Sequence, residues 1–278
     1  MFHSSSVPLG LFPVVSTTPS PAPAYAIRFP EGKDGLSQDE EWCEVYLDTE
    51  WRRIRLHDYG AIYSIPGLYE HLFYQTLRCT SPAAVAGLLA ETLAHEGEPA
   101  TGLRVLDLGA GNGMVGEVLR TLGVAHVSGV DIEPAAARAL ERDRPGLYDR
   151  YLITDLCDPP ARDLDILREC RFNCLATVAA LGFGDIPPEA FRRAFDLIEP
   201  QGWVAFNLKE SFFTRSDDSG FFRMIRALWD QGVLQVQAYK RYCHRRAISG
   251  EELYYVAMVA RKMRDIPEAL MRQIGTGA

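Results

Sequence analysis

The chain has no long apolar run, no excess of positive charge and no paired cysteines, and each absence excludes a class of protein. No stretch approaches the ~20 apolar residues that cross a membrane, so we expect no membrane partner. Lys and Arg number 29 against 37 Asp and Glu, and the net charge of -8 argues against a general nucleic-acid binder. The 6 cysteines form no Cys-x-x-Cys pair and no zinc spacing, so we expect no metal and reduced thiols in a cytoplasmic protein.

Charged side chains are also missing from residues 1–26, which are rich in Pro, Ser and Thr. The segment lacks the charged start and the long apolar core of a signal peptide. We therefore expect residues 1–38 to form a disordered or loosely packed arm. Its apolar residues could pack on the body of the protein or on a second subunit, so a homo-oligomer stays an open alternative.

One stretch, residues 103–122, combines an apolar run, a glycine cluster and a helical pattern. The run Val105–Leu108 is followed by three closely spaced glycines, and apolar residues then recur at helical spacing. Strand, glycine turn and amphipathic helix in this order begin a nucleotide-binding α/β domain. Asp107 lies inside the strand, where a carboxylate is costly to bury without a partner and suits a ligand with positive charge.

Strands and helices alternate after this stretch. The alternation predicts a mostly parallel sheet with helices on both faces. The last two strands are joined by a short turn at residues 249–250, so they are expected to form an antiparallel hairpin. The predicted strands are residues 127–130, 151–154, the start of 172–181, 203–208, 234–245 and 253–261, and the predicted helices are 134–142, 163–169, the segment after 187, and 221–229.

A helical, aromatic-rich segment is expected over residues 39–100, ahead of the first strand of the sheet. Pro66-Gly67 and Ser81-Pro82 each begin a stretch with apolar residues at helical spacing. The segment is expected to be a helical N-terminal addition to the domain.

Two acidic residues end predicted strands, and ligands of such sheets bind at the carboxyl ends of the strands. Asp131 follows the glycines by about twenty residues, the position that suits the hydroxyls of a ribose. The glycine spacing is G-x-G-x-G rather than the dinucleotide pattern G-x-G-x-x-G, and Asp107 beside it would repel a pyrophosphate. An adenosine joined to a cationic amino-acid tail fits instead, and S-adenosylmethionine is such a ligand.

The sequence resembles the class I S-adenosylmethionine-dependent methyltransferases over about residues 68–262. The resemblance implies a Rossmann-like sheet of seven strands with the last strand antiparallel, a core domain over residues 101–264 and a tail over residues 265–278. It rests on three motifs in order, which are Asp107-Leu-Gly-Ala-Gly-Asn-Gly113, Gly129-Val-Asp131-Ile and Thr154-Asp155-Leu.

The resemblance also implies which residues bind the cofactor. Gly109 and Gly111 would line the methionine moiety near Asp107, and Asp131 would hold the ribose. Asp155 and Leu156 would contact the adenine. The full set implied is Asp107, Gly109, Ala110, Gly111, Gly113, Asp131, Ile132, Asp155, Leu156, Thr177 and Val178, with the last two beside the sulfonium.

The acceptor side is less specified by the sequence. A general base is needed only for oxygen, carbon or weakly basic nitrogen acceptors, and the candidates are Glu210 and His244. Tyr63, Tyr69 and Phe183 are expected to contact the substrate. The loop after the fourth strand lacks the Asn/Asp-Pro-Pro-aromatic motif of enzymes that methylate base amines, which favours small-molecule or protein acceptors.

These observations predict a methyltransferase that acts on a small molecule by in-line transfer, with S-adenosylhomocysteine as product. Two alternatives stay open, a methyltransferase of protein side chains and a non-catalytic adenosyl-binding module that serves a protein partner. An NAD-dependent oxidoreductase is disfavoured by the glycine spacing and by Asp107.

Overall fold

The computed structural model describes residues 24–31, 36–181, 185–213 and 221–275, which form two sheets and the helices around them. The small sheet contains β1–β3 and the large sheet contains β4–β10. The strands are β1 Ile27–Arg28, β2 Trp42–Leu47, β3 Glu50–Arg55, β4 Arg104–Leu108, β5 His126–Asp131, β6 Arg150–Ile153, β7 Cys174–Thr177, β8 Trp203–Lys209, β9 Leu234–Arg246 and β10 Glu252–Lys262. The α-helices are α1 Tyr59–Ser64, α2 Ser81–Glu96, α3 Met114–Thr121, α4 Pro134–Asp143, α5 Ala161–Glu169, α6 Pro188–Asp196, α7 Phe221–Asp230 and α8 Glu268–Gly275.

The large sheet has the strand order β6-β5-β4-β7-β8-β10-β9. The pairs from β6 to β8 are parallel, whereas β10 runs antiparallel to both β8 and β9. The expected Rossmann-like sheet of seven strands with a reversed last strand is therefore confirmed. The order of the strands reverses between β4 and β7, so the carboxyl ends of these two strands border the crevice where ligands of such sheets bind.

Apolar side chains cover both faces of the large sheet. Alternate residues of β4 point to opposite sides, so Leu106 joins the cluster under α5–α7 and Val105 joins the cluster under α2 and α3. Phe191 and Phe195, which the helical spacing of α6 places inward, are both fully buried. The strands of the large sheet that lie between the two clusters are continuous apolar runs, because both of their faces are covered.

The expectation that residues 39–100 are helical is wrong at the start of this segment. Residues 42–55 form a β-hairpin rather than a helix. Cys43 and Val45 of β2 are buried while their neighbours are not, which is the period of a strand. Asp48 and Thr49 both have positive φ, 48° and 78°, as a two-residue hairpin turn requires. The helical part of the addition begins only at α1.

The expected arm over residues 1–38 is also structured where it is described. Ile27 pairs with Val45, which places β1 beside β2 at the edge of the small sheet. Gln38 is buried and donates from Nε2 to the Tyr255 hydroxyl at 2.9 Å, so this segment packs on the large sheet. Residues 1–23 lie outside the described part of the chain.

A π-helical turn, Glu70–Thr76, joins α1 to α2. Its widened backbone bonds include Leu77 N to Leu72 O at 2.9 Å. Such turns are found at functional sites, and this one carries Phe73 and Tyr74 to the wall of a cavity described below. Of the helices in the described ranges, none is long and apolar enough to cross a membrane.

Candidate functional site

The glycine loop follows β4 and is held to β5 by its backbone. Gly109 N and Ala110 N both donate to Val130 O, at 2.9 and 3.1 Å. Gly111 has a φ of +54°, and a Cβ there would stand 2.4 Å from the Tyr63 hydroxyl oxygen. Glycine is therefore required at this position both for the backbone conformation and for the close approach of a neighbouring group.

Asp107 lies beneath this loop and is fully buried. The Tyr148 hydroxyl donates to its Oδ2 at 2.7 Å, whereas Oδ1 has no hydrogen-bond partner within the described residues. Burial raises the pKa of the Asp107 carboxyl to about 7, and the bond from Tyr148 opposes that rise. A buried carboxylate oxygen without a donor is costly, so a cationic ligand group would relieve it.

Asp131 ends β5 and is tied to the glycine loop. Its Oδ2 accepts from Gly111 N at 2.8 Å, and its Oδ1 accepts from Glu133 N at 2.9 Å. Burial raises the pKa of this carboxyl, and the backbone bonds counter that rise. Each carboxylate oxygen has a second lone pair, so the side chain can still accept from two hydroxyls of a ligand.

A cavity of about 340 Å³, the larger cavity, opens at the carboxyl ends of the strands. It reaches from the loop at Gly109 across Asp131 to the end of β6. Thr154 also lines it, and its buried Oγ1 lacks a partner in the described structure. The predicted cofactor residues that line the larger cavity are Gly109, Asp131, Ile132, Asp155, Leu156 and Val178.

A second cavity of about 60 Å³, the smaller cavity, lies on the other side of the glycine loop. Ala110 and Gly111 line it, and Gly109 and Val178 line both cavities. Tyrosine and phenylalanine rings of α1 and the π-helical turn form much of its wall. The two cavities therefore meet where the first glycine faces the end of β7.

Three predicted cofactor residues are not among those that line either cavity. Asp107 lies one layer below the loop, as described above. Gly113 is the N-cap residue before α3, and an added Cβ there would meet Leu147 at 2.6 Å, so this glycine allows the loop to pack closely. Thr177 is fully buried in β7, and within the described residues its Oγ1 has no partner.

The two candidate bases differ in position. Glu210 lies at the surface and accepts a bidentate pair from Arg241 at 2.6 and 3.0 Å, so the structure does not bring it to a cavity and corrects that expectation. His244 lines the smaller cavity, with Nδ1 at 2.6 Å from Ser81 Oγ. Burial, aided by Arg245, holds the pKa of His244 well below its usual value, which makes the ring neutral and a weak base.

Two of the three residues that are expected to contact the substrate lie within the described structure. Tyr63 and Tyr69 line both cavities, with their ring centroids 4.7 Å apart. Burial raises the pKa of both phenols, so both hydroxyls stay protonated. Phe183 lies outside the described residues.

Two polar features of the site carry no signal in the sequence. His57 and Asp185 line both cavities, with Nδ1 and Oδ1 at 3.5 Å. Gln38 lines the smaller cavity from the N-terminal segment. These residues are far apart in the chain, and only the run of aromatic residues around His57 marks the segment as unusual. No group of three or more potential metal ligands occurs within the described ranges.

Comparison with known proteins identifies a family whose model matches this chain. Residues 81–255 match the model of a family described as a methyltransferase domain. A search of curated proteins finds no match. Magnesium protoporphyrin IX methyltransferase from Synechocystis PCC 6803, solved with bound S-adenosylmethionine, is 13% identical, with coverage of 65% of this chain and 79% of that chain and a TM-score of 0.45.

A further solved structure is an S-adenosylmethionine dependent methyltransferase from Mesorhizobium loti, which is 16% identical over 62% of this chain and 98% of that chain, with a TM-score of 0.43. The family match spans more than half of the chain and assigns the family by itself. The cofactor of this family is S-adenosylmethionine, as the glycine loop and the acidic strand ends predict. The chain therefore belongs to the methyltransferase domain family, and its expected membership of the class I S-adenosylmethionine-dependent methyltransferases is confirmed.

Proposed function

We propose that the protein transfers a methyl group from S-adenosylmethionine to a small molecule. The observation that carries this proposal is the pair of cavities that meet at Gly109 and Val178. One cavity ends at acidic residues suited to an adenosine, and the other is small and walled by aromatic rings. Gly111, which the resemblance places at the methionine moiety, lines the smaller cavity, so the methionine end would extend into it and the acceptor would approach the junction of the two cavities. An approach walled by tyrosine rings favours a small molecule over a folded protein surface.

The residues present fit the cofactor at both of its ends. Asp131 would hold the ribose, and Ile132, which is 62% exposed, offers an apolar side chain beside Asp155 for the adenine. Asp107 has a buried oxygen that lacks a donor within the described residues, which suits the ammonium of the methionine end. When bound, the cofactor supplies a methyl group already activated by its sulfonium.

The protein then has two tasks, to align the acceptor and to exclude water. The wall formed by Tyr59, Tyr63 and Tyr69 covers both cavities with large, mostly apolar rings. Arg142 Nη1 donates to Tyr63 O at 3.3 Å, which ties this wall to α4. The rings therefore keep the region between the cavities dry while the polar groups at its rim orient the acceptor.

Thermal unfolding with S-adenosylmethionine and with S-adenosylhomocysteine tests the proposal. At about 100 times Kd a ligand adds about 2.7 kcal/mol to the free energy of unfolding, which raises Tm by roughly 5–10 °C. Asp131→Ala is expected to abolish the shift. Because Asp131 also accepts Gly111 N, Asp131→Asn is the milder variant, and it keeps one acceptor oxygen.

Asp149→Asn is the matched control for Asp131→Asn. Asp149 lies at the other end of the same strands and also accepts a backbone N–H, from Val127 at 3.1 Å. The control is expected to keep the full cofactor shift. Absence of a shift with either ligand in the unsubstituted protein would contradict the proposed function.

A further inference from the structure

The loop after β7 contains a backbone conformation that is unusual for its residue type. Ala179 has a φ of +57°, in the left-handed region that a residue with a Cβ rarely adopts. Among the non-glycine residues of the described ranges that have a positive φ, Ala179 is the one that lines either of the two cavities. Such a conformation persists only where the surrounding structure holds it, and it is frequent at functional sites.

Ala179 lies where the two cavities meet. It lines both of them, directly after Val178. The next residue, Ala180, packs on the glycine loop, because a Cβ added at Gly109 would stand only 3.1 Å from the Ala180 Cβ. The backbone of residues 178–180 therefore decides how much space is left between the two loops at the junction.

One buried side chain holds the backbone of Ala179. Asn207 lies in β8, the strand beside β7, and it is fully buried. Its Oδ1 accepts from Ala179 N at 2.7 Å. Because a backbone N–H can only donate, this bond fixes which end of the amide is the oxygen. The Nδ2 end must therefore face the other partners of the side chain.

Those partners belong to α2 and β9. Nδ2 of Asn207 donates to the Tyr242 hydroxyl at 2.6 Å and to Ser81 Oγ at 3.3 Å. The Tyr242 and Ser81 oxygens are 2.7 Å apart, and Ser81 Oγ lies 2.6 Å from His244 Nδ1. Since the Tyr242 oxygen already accepts from Asn207, the Tyr242 proton goes to Ser81, and the Ser81 proton goes to His244. The chain of bonds keeps the Asn207 amide from turning.

From these contacts, and resting on the proposed function, we propose that Asn207 is a positioning residue for methyl transfer. It is not among the described residues that line the two cavities, and it acts through Ala179, whose backbone it holds at their junction. It exchanges no proton and no electrons with the reactants. A displacement of about 1 Å at such a point lowers the rate of a transfer about 100-fold, so a fixed backbone is needed there.

Ligand binding to the full chain is the first test, because it needs no methyl acceptor. Asn207→Leu removes both hydrogen-bonding ends of the side chain at similar size. We expect the affinity for S-adenosylhomocysteine to fall about tenfold, because the loop at the junction loses its anchor. Adenosine, which would occupy only the Asp131 end of the larger cavity, is expected to bind equally to both proteins. Asn207→Asp keeps an acceptor oxygen for Ala179 N, so it is expected to restore the affinity for S-adenosylhomocysteine.

Asn173→Leu is the matched control. Asn173 precedes β7 at the opposite edge of the sheet, and its Oδ1 accepts from Arg104 N, also at 2.7 Å. The substitution removes the same kind of bond far from the two cavities. It is expected to lower the free energy of unfolding but to leave the affinity for S-adenosylhomocysteine unchanged.

Ala179→Gly tests whether Asn207 acts through Ala179. Glycine adopts a positive φ without strain, so the loop depends less on its anchor. In the Ala179→Gly background, Asn207→Leu is therefore expected to weaken S-adenosylhomocysteine only about threefold instead of about tenfold. Hydrogen exchange of the Ala179 amide, followed by NMR, is expected to be faster in Asn207→Leu and unchanged in Asn173→Leu.

The methyl group of the cofactor gives an independent readout. S-adenosylmethionine labelled with ¹³C in its methyl group is bound to each protein, and the methyl resonance is recorded. In Asn207→Leu the resonance is expected to move towards its position in the free cofactor, because the surroundings of the methyl group become less fixed. In Asn173→Leu it is expected to stay where it is in the unsubstituted protein.

The outcomes separate the inference from the proposed function. If the unsubstituted protein binds the cofactor but Asn207→Leu changes neither the affinity for S-adenosylhomocysteine nor the methyl resonance, the positioning role is wrong and the proposed function stands. The same holds if Asn173→Leu has equal effects, or if the losses in the Ala179→Gly background are simply additive. If Asn207→Leu does not fold, Tyr242→Phe replaces it, with an expected loss of about threefold because one bond to the amide is removed. If neither form of the cofactor binds to the unsubstituted protein, the proposed function itself fails.

Discussion

Asp107→Asn offers a direct test of the buried carboxyl beneath the glycine loop. Burial raises the pKa of Asp107 from the ordinary 3.8 to about 7. Between these two values the folded protein holds a proton that the unfolded chain has lost. The carboxyl therefore favours neither state below its ordinary pKa, and it destabilises the fold progressively as the pH rises to about 7.

The magnitude follows from 1.36 kcal/mol for each unit of pKa difference. At pH 5 the carboxyl costs roughly 1–2 kcal/mol, and at pH 8 roughly 4 kcal/mol, so its share of the pH dependence is about 2–3 kcal/mol. The Asn side chain has the same shape as that of Asp, but it does not ionise in this pH range. Its amide still accepts from Tyr148, while its NH₂ replaces the oxygen that lacks a partner within the described residues, at a cost that does not vary with pH.

Urea unfolding of both proteins from pH 5 to pH 8 is the assay. We expect the free energy of unfolding of Asp107→Asn to rise relative to the unsubstituted protein by about 2–3 kcal/mol across this range. Asp165→Asn, which removes an exposed carboxyl, controls for the change in net charge. Parallel pH curves for Asp107→Asn and the unsubstituted protein would refute the reasoning. If the cofactor ammonium pairs with Asp107, the thermal shift by S-adenosylmethionine is larger at pH 8 than at pH 5, because the ionised carboxylate binds it.

Gly111→Ala is expected to destabilise the fold and weaken cofactor binding, because at a φ of +54° its Cβ would stand 2.4 Å from the Tyr63 hydroxyl; the left-handed conformation alone costs about 1 kcal/mol, measured by urea unfolding. Glu41→Gln is expected to cost about 3–5 kcal/mol by the same assay, because it leaves the Arg245 charge buried without its partner, and a cost near zero would contradict this view of the pair. Glu210→Gln is expected to leave Tm and methyl transfer unchanged, because its carboxylate pairs with a surface arginine; a large loss of transfer would restore it as a base.

Local patterns explain why the large sheet could be predicted. The apolar run of β4, the glycines after it and the helical spacing of α3 lie within one short stretch, so each supports the others. The hairpin of β2 and β3 is hard to predict because only Cys43 and Val45 mark the alternation of β2, while β3 is mostly exposed and has no apolar pattern. Its two-residue turn with Asp48 was the local signal that could have shown it.

The cofactor end of the site was predictable for the same reason, since Asp131 and Asp155 follow strands directly and strand ends share one edge of the sheet. Glu210 also follows a strand, but the chain turns there to the surface, and sequence position alone does not tell on which side a turn leaves. The smaller cavity, in contrast, depends on contacts between distant segments. Gln38 and Tyr255 are 217 residues apart, and no local periodicity reports such a pair.

The residues that line the smaller cavity lie on both sides of the point where the family match begins. The matched region spans residues 81–255 and contains the glycine loop and the acidic strand ends. Of the residues that line the smaller cavity, Gln38, His57 and Tyr63 precede it, whereas His244, Arg245 and Tyr255 lie within it. The part of the cavity that precedes the matched region can therefore diverge among relatives while the cofactor-binding core is kept. A chimera that joins the first 80 residues of one member to the core of another should keep the cofactor affinity of the second and shift its acceptor preference towards that of the first.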